Sequence, residues 1–134
     1  MASFISSARW PRTLDLTVRQ STSANELDLL TFFEAEPKRA DRDVPWPYNE
    51  FSYDVIRGEF RVLFTIAPAY LDVKLLISRN SNAIYTLDAK RVEDVVYHND
   101  NGRETLAIVL GTRQKILLRL RPSVFIAQEA EGEI

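Results

Sequence analysis

Residues 51–66 read Phe51-Ser52-Tyr53-Asp54-Val55-Ile56-Arg57-Gly58-Glu59-Phe60-Arg61-Val62-Leu63-Phe64-Thr65-Ile66, and this stretch decides the fold. Gly58-Glu59 fits a two-residue type II′ loop, in which glycine supplies the positive φ of the first position. Closing the chain there sets Val55 opposite Val62, Tyr53 opposite Phe64 and Phe51 opposite Ile66. All six share one face, as a hairpin lying on a core requires. The turn does not by itself guarantee that agreement, so turn chemistry and side-chain pattern support the hairpin separately.

The same reasoning extends outward along the chain. Asn101-Gly102 is the strongest short hairpin signal; it pairs Tyr97 with Leu106 and Val95 with Ile108. A three-residue turn at Gly111-Thr112-Arg113 carries the register on to Ile108 with Ile116 and Leu106 with Leu118. Leu71, Val73, Leu75 and Ile77 alternate as a further strand, and the polar turn Arg79–Asn82 leads into a short strand over Ala83–Leu87. Pro122 sets off a last strand over Ser123–Ala127, placed at an edge or corner because proline cannot donate to a ladder. Upstream, Leu14, Leu16 and Val18 alternate with Thr13, Asp15 and Thr17 as a first strand.

One segment fits two templates. Ser23-Ala24-Asn25-Glu26 has capping-box spacing before an apolar run to Phe33, which suits a helix with Leu27, Leu30 and Phe33 on one side. As a strand, Leu27, Leu29, Thr31, Phe33 and Ala35 alternate instead, and the Phe32-Phe33 pair with Thr31 favours this pleated reading. The expected fold class is all-β, or α+β if one short helix forms near 24–35: an antiparallel sandwich or small barrel of about eight or nine strands. A single domain over 1–134 is expected, with a frayed N-terminus (1–10), a long loop over 34–50 and a frayed acidic tail over 128–134.

Composition narrows the function. The chain has no cysteine, which removes disulfides, thiol nucleophiles and cysteine metal sites together. Its 17 basic and 19 acidic residues leave a net charge of −2, so no overall field draws it to nucleic acid or an anionic membrane. Met1–Pro11 lacks the pattern of a secretory leader, and no apolar run approaches the roughly 20 residues of a membrane span. A cytoplasmic protein is expected. His98 is the only histidine, and the four glycines form no phosphate-cradling loop. Asp100-Asn101-Gly102-Arg103-Glu104 lacks the length and glutamate spacing of a calcium loop. No cofactor or metal is expected. Asp54, Asp72 and Asp94 are the carboxylate candidates, all at positions where alternation predicts solvent.

Three regions remain as candidate surfaces. Residues 34–50 hold three prolines and eight charged residues, too many for a helix or strand. Within them Trp46 stands between Pro45 and Pro47, with Tyr48 beside it and Lys38, Arg39 and Arg42 upstream. Prolines pre-organise such an aromatic for contact, and Trp, Tyr and Arg are enriched at binding hot spots; the competing reading is Trp46 as a core plug. The second region is polar. The register sets Asp100, Arg103 and Arg121 in one row and His98, Thr105 and Arg119 in the next, with Lys115 across Val109 from Asp94. That array suits an anion, against the simpler reading of solvated cross-strand pairs. The third is an apolar strip on the same face, Val96, Ala107, Val109 and Leu117, covered by the Leu27 segment or by another copy of the chain.

The reading that follows is a non-catalytic β module that binds a protein partner or itself as a homodimer, of an accessory or immunity-like kind. Its rivals are a barrel enclosing a small apolar or anionic ligand and a small cavity enzyme working through buried carboxylates.

Overall fold

The computed structural model describes residues 22–131. The strand expected over 13–18 and the frayed segment 1–10 lie outside the described residues. The elements are α1 (Glu26–Phe33), β1 (Lys38–Arg39), a 3₁₀ turn (Trp46–Tyr48), β2 (Phe51–Arg57), β3 (Phe60–Ala67), β4 (Asp72–Arg79), β5 (Asn82–Ala89), β6 (Asp94–Asp100), β7 (Arg103–Gly111), β8 (Gln114–Arg119) and β9 (Phe125–Ala130). They form two antiparallel sheets, one in the order β1-β2-β3-β4-β5 and the other β9-β8-β7-β6. Among the described residues each sheet keeps its own edges, so the arrangement is a sandwich with one helix and not a barrel.

The deciding hairpin has the expected register: Phe51 faces Ile66, Tyr53 faces Phe64 and Val55 faces Val62. Gly58 has φ +61°, the positive value its loop demands. At the other hairpin both Asn101 (φ +53°) and Gly102 (φ +87°) are left-handed, the requirement of a type I′ turn. Val95–Ile108, Tyr97–Leu106, Ile108–Ile116 and Leu106–Leu118 pair as the sequence indicates. The β7–β8 turn differs in detail. Gly111 pairs with Gln114 and the register shifts between Val109 and Gly111, so two turn residues and a bulge replace the expected three-residue turn. The last strand also runs further than expected, with Gln128, Glu129 and Ala130 paired to Ile116, Lys115 and Gln114. Residues 128–130 are therefore held in the sheet and not frayed.

The segment at 24–35 is a helix, against the pleated reading. Asn25 accepts from the Asp28 N–H at 2.9 Å and Asp28 accepts from the Asn25 N–H at 3.1 Å, a closed capping box set two residues later than the expected Ser23–Glu26 one. Glu34 ends the helix with φ +54° and its N–H on the Leu30 carbonyl at 2.9 Å. The buried positions are Leu29, Phe32 and Phe33, while Leu27 is 68% exposed, so the core-facing side is rotated from the Leu27–Leu30–Phe33 stripe. The reason is the helix's place between layers. Phe33 stacks on Tyr53 and Phe64 of the five-stranded sheet, with ring centroids 4.7 and 5.3 Å apart. Phe32 turns toward Tyr97 of the four-stranded sheet at 6.3 Å. Two adjacent residues can both be buried only because core lies on two sides. The inner faces of both sheets and the helix join in one buried cluster. Loss of the capping side chain in Asn25→Ala should cost about 1 kcal/mol, read as a lower midpoint in urea unfolding.

Candidate functional site

The loop over 34–50 is ordered by a few specific bonds. Lys38 and Arg39 form a two-residue strand at the sheet edge, opposite Ser52 and Phe51. Asn49, 5% exposed, ties the rest together. Its Nδ2 donates to the carbonyls of Asp41 (2.5 Å) and Val44 (3.0 Å), and its Oδ1 accepts from the N–H groups of Asp41 (3.2 Å) and Glu50 (2.8 Å). The Ala69 N–H donates to the Pro47 carbonyl at 2.8 Å, fastening the 3₁₀ turn to the β3–β4 connection.

This scaffold gives Trp46 two roles. Its ring lies 4.6 Å from that of Phe51, so one side packs on the core; the residue is only half-buried. It also lines an open groove with Leu27 and Leu30 of α1, and with Asn25, Glu26, Glu36 and Arg39. Arg39 crosses toward the helix, its Nη2 2.9 Å from the Glu26 carboxylate and its guanidinium 5.4 Å from the centre of the Phe51 ring. Of the loop residues picked out from sequence, Trp46 and Arg39 thus share a groove. Tyr48 (62% exposed) and Arg42 stand on the same loop outside it. The helical wall did not stand out because the segment fits helix and strand templates about equally and its Phe-Phe pair favours the pleated one. Leu27 and Leu30, spaced by three, stand side by side once the capping box is followed.

The polar rows on the four-stranded sheet are partly assembled. His98 faces Thr105 and Asp100 faces Arg103, all as paired. Arg119 donates from Nε to the Thr105 hydroxyl at 3.0 Å and lies 5.0 Å from the Phe125 ring centre. Its guanidinium is already engaged from two sides. Arg121 does not join the row with Asp100 and Arg103, because β8 ends at Arg119 and the chain turns. It pairs instead with Glu104 and, through Nη1 at 2.8 Å, with Glu34. Glu104 also accepts from the Tyr97 hydroxyl at 2.5 Å. Arg57 meets the same helix end, donating to the Phe33 carbonyl at 2.9 Å. Two arginines at a helix C-terminus suit its negative end, so Arg121 is a structural cation here.

The apolar strip lies in the expected register, with Val96, Ala107, Leu117 and Ala127 in one row and Val109 beside it. Ala107 is buried, and Val96, Val109 and Leu117 are half-buried. The Leu27 segment does not cover them, since α1 packs on the inner side against Tyr97. The three carboxylate candidates have structural partners. Asp54 binds Arg61 at 2.9 Å, and that bond holds its carboxyl below the usual range. Asp72 accepts from the Arg91 N–H at 3.1 Å. Asp94 accepts from the N–H groups of Ser23 (2.8 Å) and Val95 (2.7 Å) and from the Ser23 hydroxyl. Among the described residues no group of three or more histidine, cysteine or acidic side chains is placed to hold a metal ion. No helix among them is long and apolar enough to cross a membrane.

No protein-family model matches the chain, and no curated protein matches it. Among solved structures it is similar to a chain of the contact-dependent growth inhibition toxin–immunity protein complex from Klebsiella pneumoniae 342. The TM-score is 0.70 at 23% identity, over 84% of this chain and 98% of that one. At that identity the likeness is one of fold.

Proposed function

We propose that this chain is an immunity protein: a non-catalytic binding module that neutralises a growth-inhibiting toxin by holding it in a complex. The observation that carries the reading is the fold likeness, which spans 98% of a chain from a toxin–immunity complex. That complex has two members, and the side chains here favour the immunity role. Asp54, Asp72 and Asp94 are engaged in structural bonds, and His98 is exposed on a strand opposite a threonine. What the surface offers is a groove with a fixed aromatic, the kind of feature that anchors protein partners.

A cell that makes such a toxin without its antidote arrests its own growth, so the partner's gene is expected beside this one. The test is expression of the neighbouring gene product with and without this chain. Rescue of growth, with a stable complex on gel filtration, is the expected result. Growth arrest caused by this chain alone would make it the toxic member, and the absence of both arrest and complex would end the reading.

A further inference from the structure

The groove between α1 and the Trp46 turn has a chemistry that specifies its occupant. Its walls are apolar: Leu27, 68% exposed on the helix, Leu30, and the free side of Trp46. Its charged groups are Glu26, Arg39 and Glu36. Glu26 is paired with Arg39, whereas Glu36 has no ion-pair partner among the described residues. The fully buried Tyr53, stacked on Phe33 of the same helix, has a hydroxyl with no hydrogen-bond partner among the described residues.

The surroundings are acidic as well. Residues 25–50 carry seven carboxylates and three cations, a balance of −4 within a chain of net −2. The remainder of the protein is therefore net positive, and the negative field is concentrated around α1 and its following loop. Such a region speeds the approach of a basic surface and repels an acidic one.

Resting on the immunity reading, we propose that this groove receives an arginine or lysine side chain presented by a basic face of the protein partner. The aliphatic stem lies along Leu27 and Leu30, as long cationic side chains do on apolar surface. Its head group meets the indole face of Trp46 and the Glu36 carboxylate, a cation–π contact beside an opposite charge. A purely apolar anchor would leave Glu36 facing it without compensation, and an acidic one would be repelled.

Two arms test the proposal. The first needs no partner: the amide-capped tripeptides Gly-Arg-Gly and Gly-Glu-Gly are titrated against the isotope-labelled protein by NMR. The arginine peptide should shift the Trp46 indole N–H and the Leu27 and Leu30 methyl signals, with Glu36→Gln weakening the effect at least threefold; the glutamate peptide should leave them in place. The second arm uses the neighbouring gene product. Leu27→Arg and Glu36→Lys, both at surface positions, should weaken the complex at least tenfold with melting temperatures unchanged. A complex that forms equally well with both variants overturns the groove and leaves the immunity reading intact. A wild-type chain that fails to bind that product overturns the reading, while the groove then stands or falls on the peptide titration alone. Groove signals that ignore the arginine peptide, or follow both peptides alike, count against it.

Discussion

Phe33→Ala is expected to lower the unfolding free energy by about 3–5 kcal/mol, the range for truncating a buried phenylalanine. Phe33 is fully buried and stacks on Tyr53 and Phe64, while Phe32 packs edge-on to it and continues to Tyr97. The two rings wedge the helix between the sheets. Alanine would leave a void that neither sheet can close, because both are fixed by their own ladders. Domains of this size are stable by about 5–15 kcal/mol, so the loss is a large share of the total. Urea unfolding should show a lower midpoint at similar slope. Leu27→Ala, on the same helix at an exposed position, serves as the control and should stay within about 0.5 kcal/mol. Similar losses from both would mean that the helix is not wedged.

The second large effect has the opposite sign. Tyr53→Phe should stabilise the protein by about 1–3 kcal/mol, the cost of burying a polar group without a partner. The ring and its stacking on Phe33 remain, and only the hydroxyl, unpartnered among the described residues, is removed. Burial pushes the Tyr53 phenol far above its ordinary range, with Glu26 and Glu36 adding to the rise and Arg39 opposing it. The fold therefore holds the protonated form. Its contribution is intact below the ordinary phenol value of about 10 and is lost as pH rises past it, because the unfolded chain ionises first. The wild-type protein should lose stability more steeply than Tyr53→Phe above about pH 10. Tyr85, raised by burial too, leaves the variant a smaller alkaline loss. Thermal melts at neutral and alkaline pH read both effects; a variant less stable than wild type at pH 7 would show that the hydroxyl has a partner.

The sheets were legible because their information is local. Gly58-Glu59 and Asn101-Gly102 fix two registers, and period-two patterning then places Phe51, Tyr53, Val95 and Ile108 on inner faces without reference to distant parts of the chain. The helix was harder for a physical reason: flanked by core on two sides, it buries the adjacent Phe32 and Phe33 and loses the single stripe that marks an amphipathic helix. The Ser23–Glu26 capping-box spacing pointed to a helix start, although the box that forms is Asn25–Asp28, two residues further on. The site was legible only in part. Trp46 and Arg39 stood out by residue type and proline context, but the groove needs Leu27 and Leu30 from across the loop, and that closure depends on Asn49. A lone asparagine before a strand carries no mark in sequence that its amide will satisfy four backbone groups. Arg121 was misplaced because alternation was carried past the end of β8.

Among the described strands of both sheets, spatial neighbours are also consecutive in the chain. Each sheet is therefore a meander that can zip hairpin by hairpin, on the microsecond scale of single hairpins. Most pairings close a short loop, and proteins dominated by such contacts fold quickly for their class. What remains slow is the joining of the two meanders, which share no ladder among the described residues and meet through Phe32, Phe33, the inner faces and the arginines at the helix end. The short connection at residues 90–93 is then the seam of the molecule, where two folding units abut. A chain nicked there would hold together through its core and the ion pairs at Glu34.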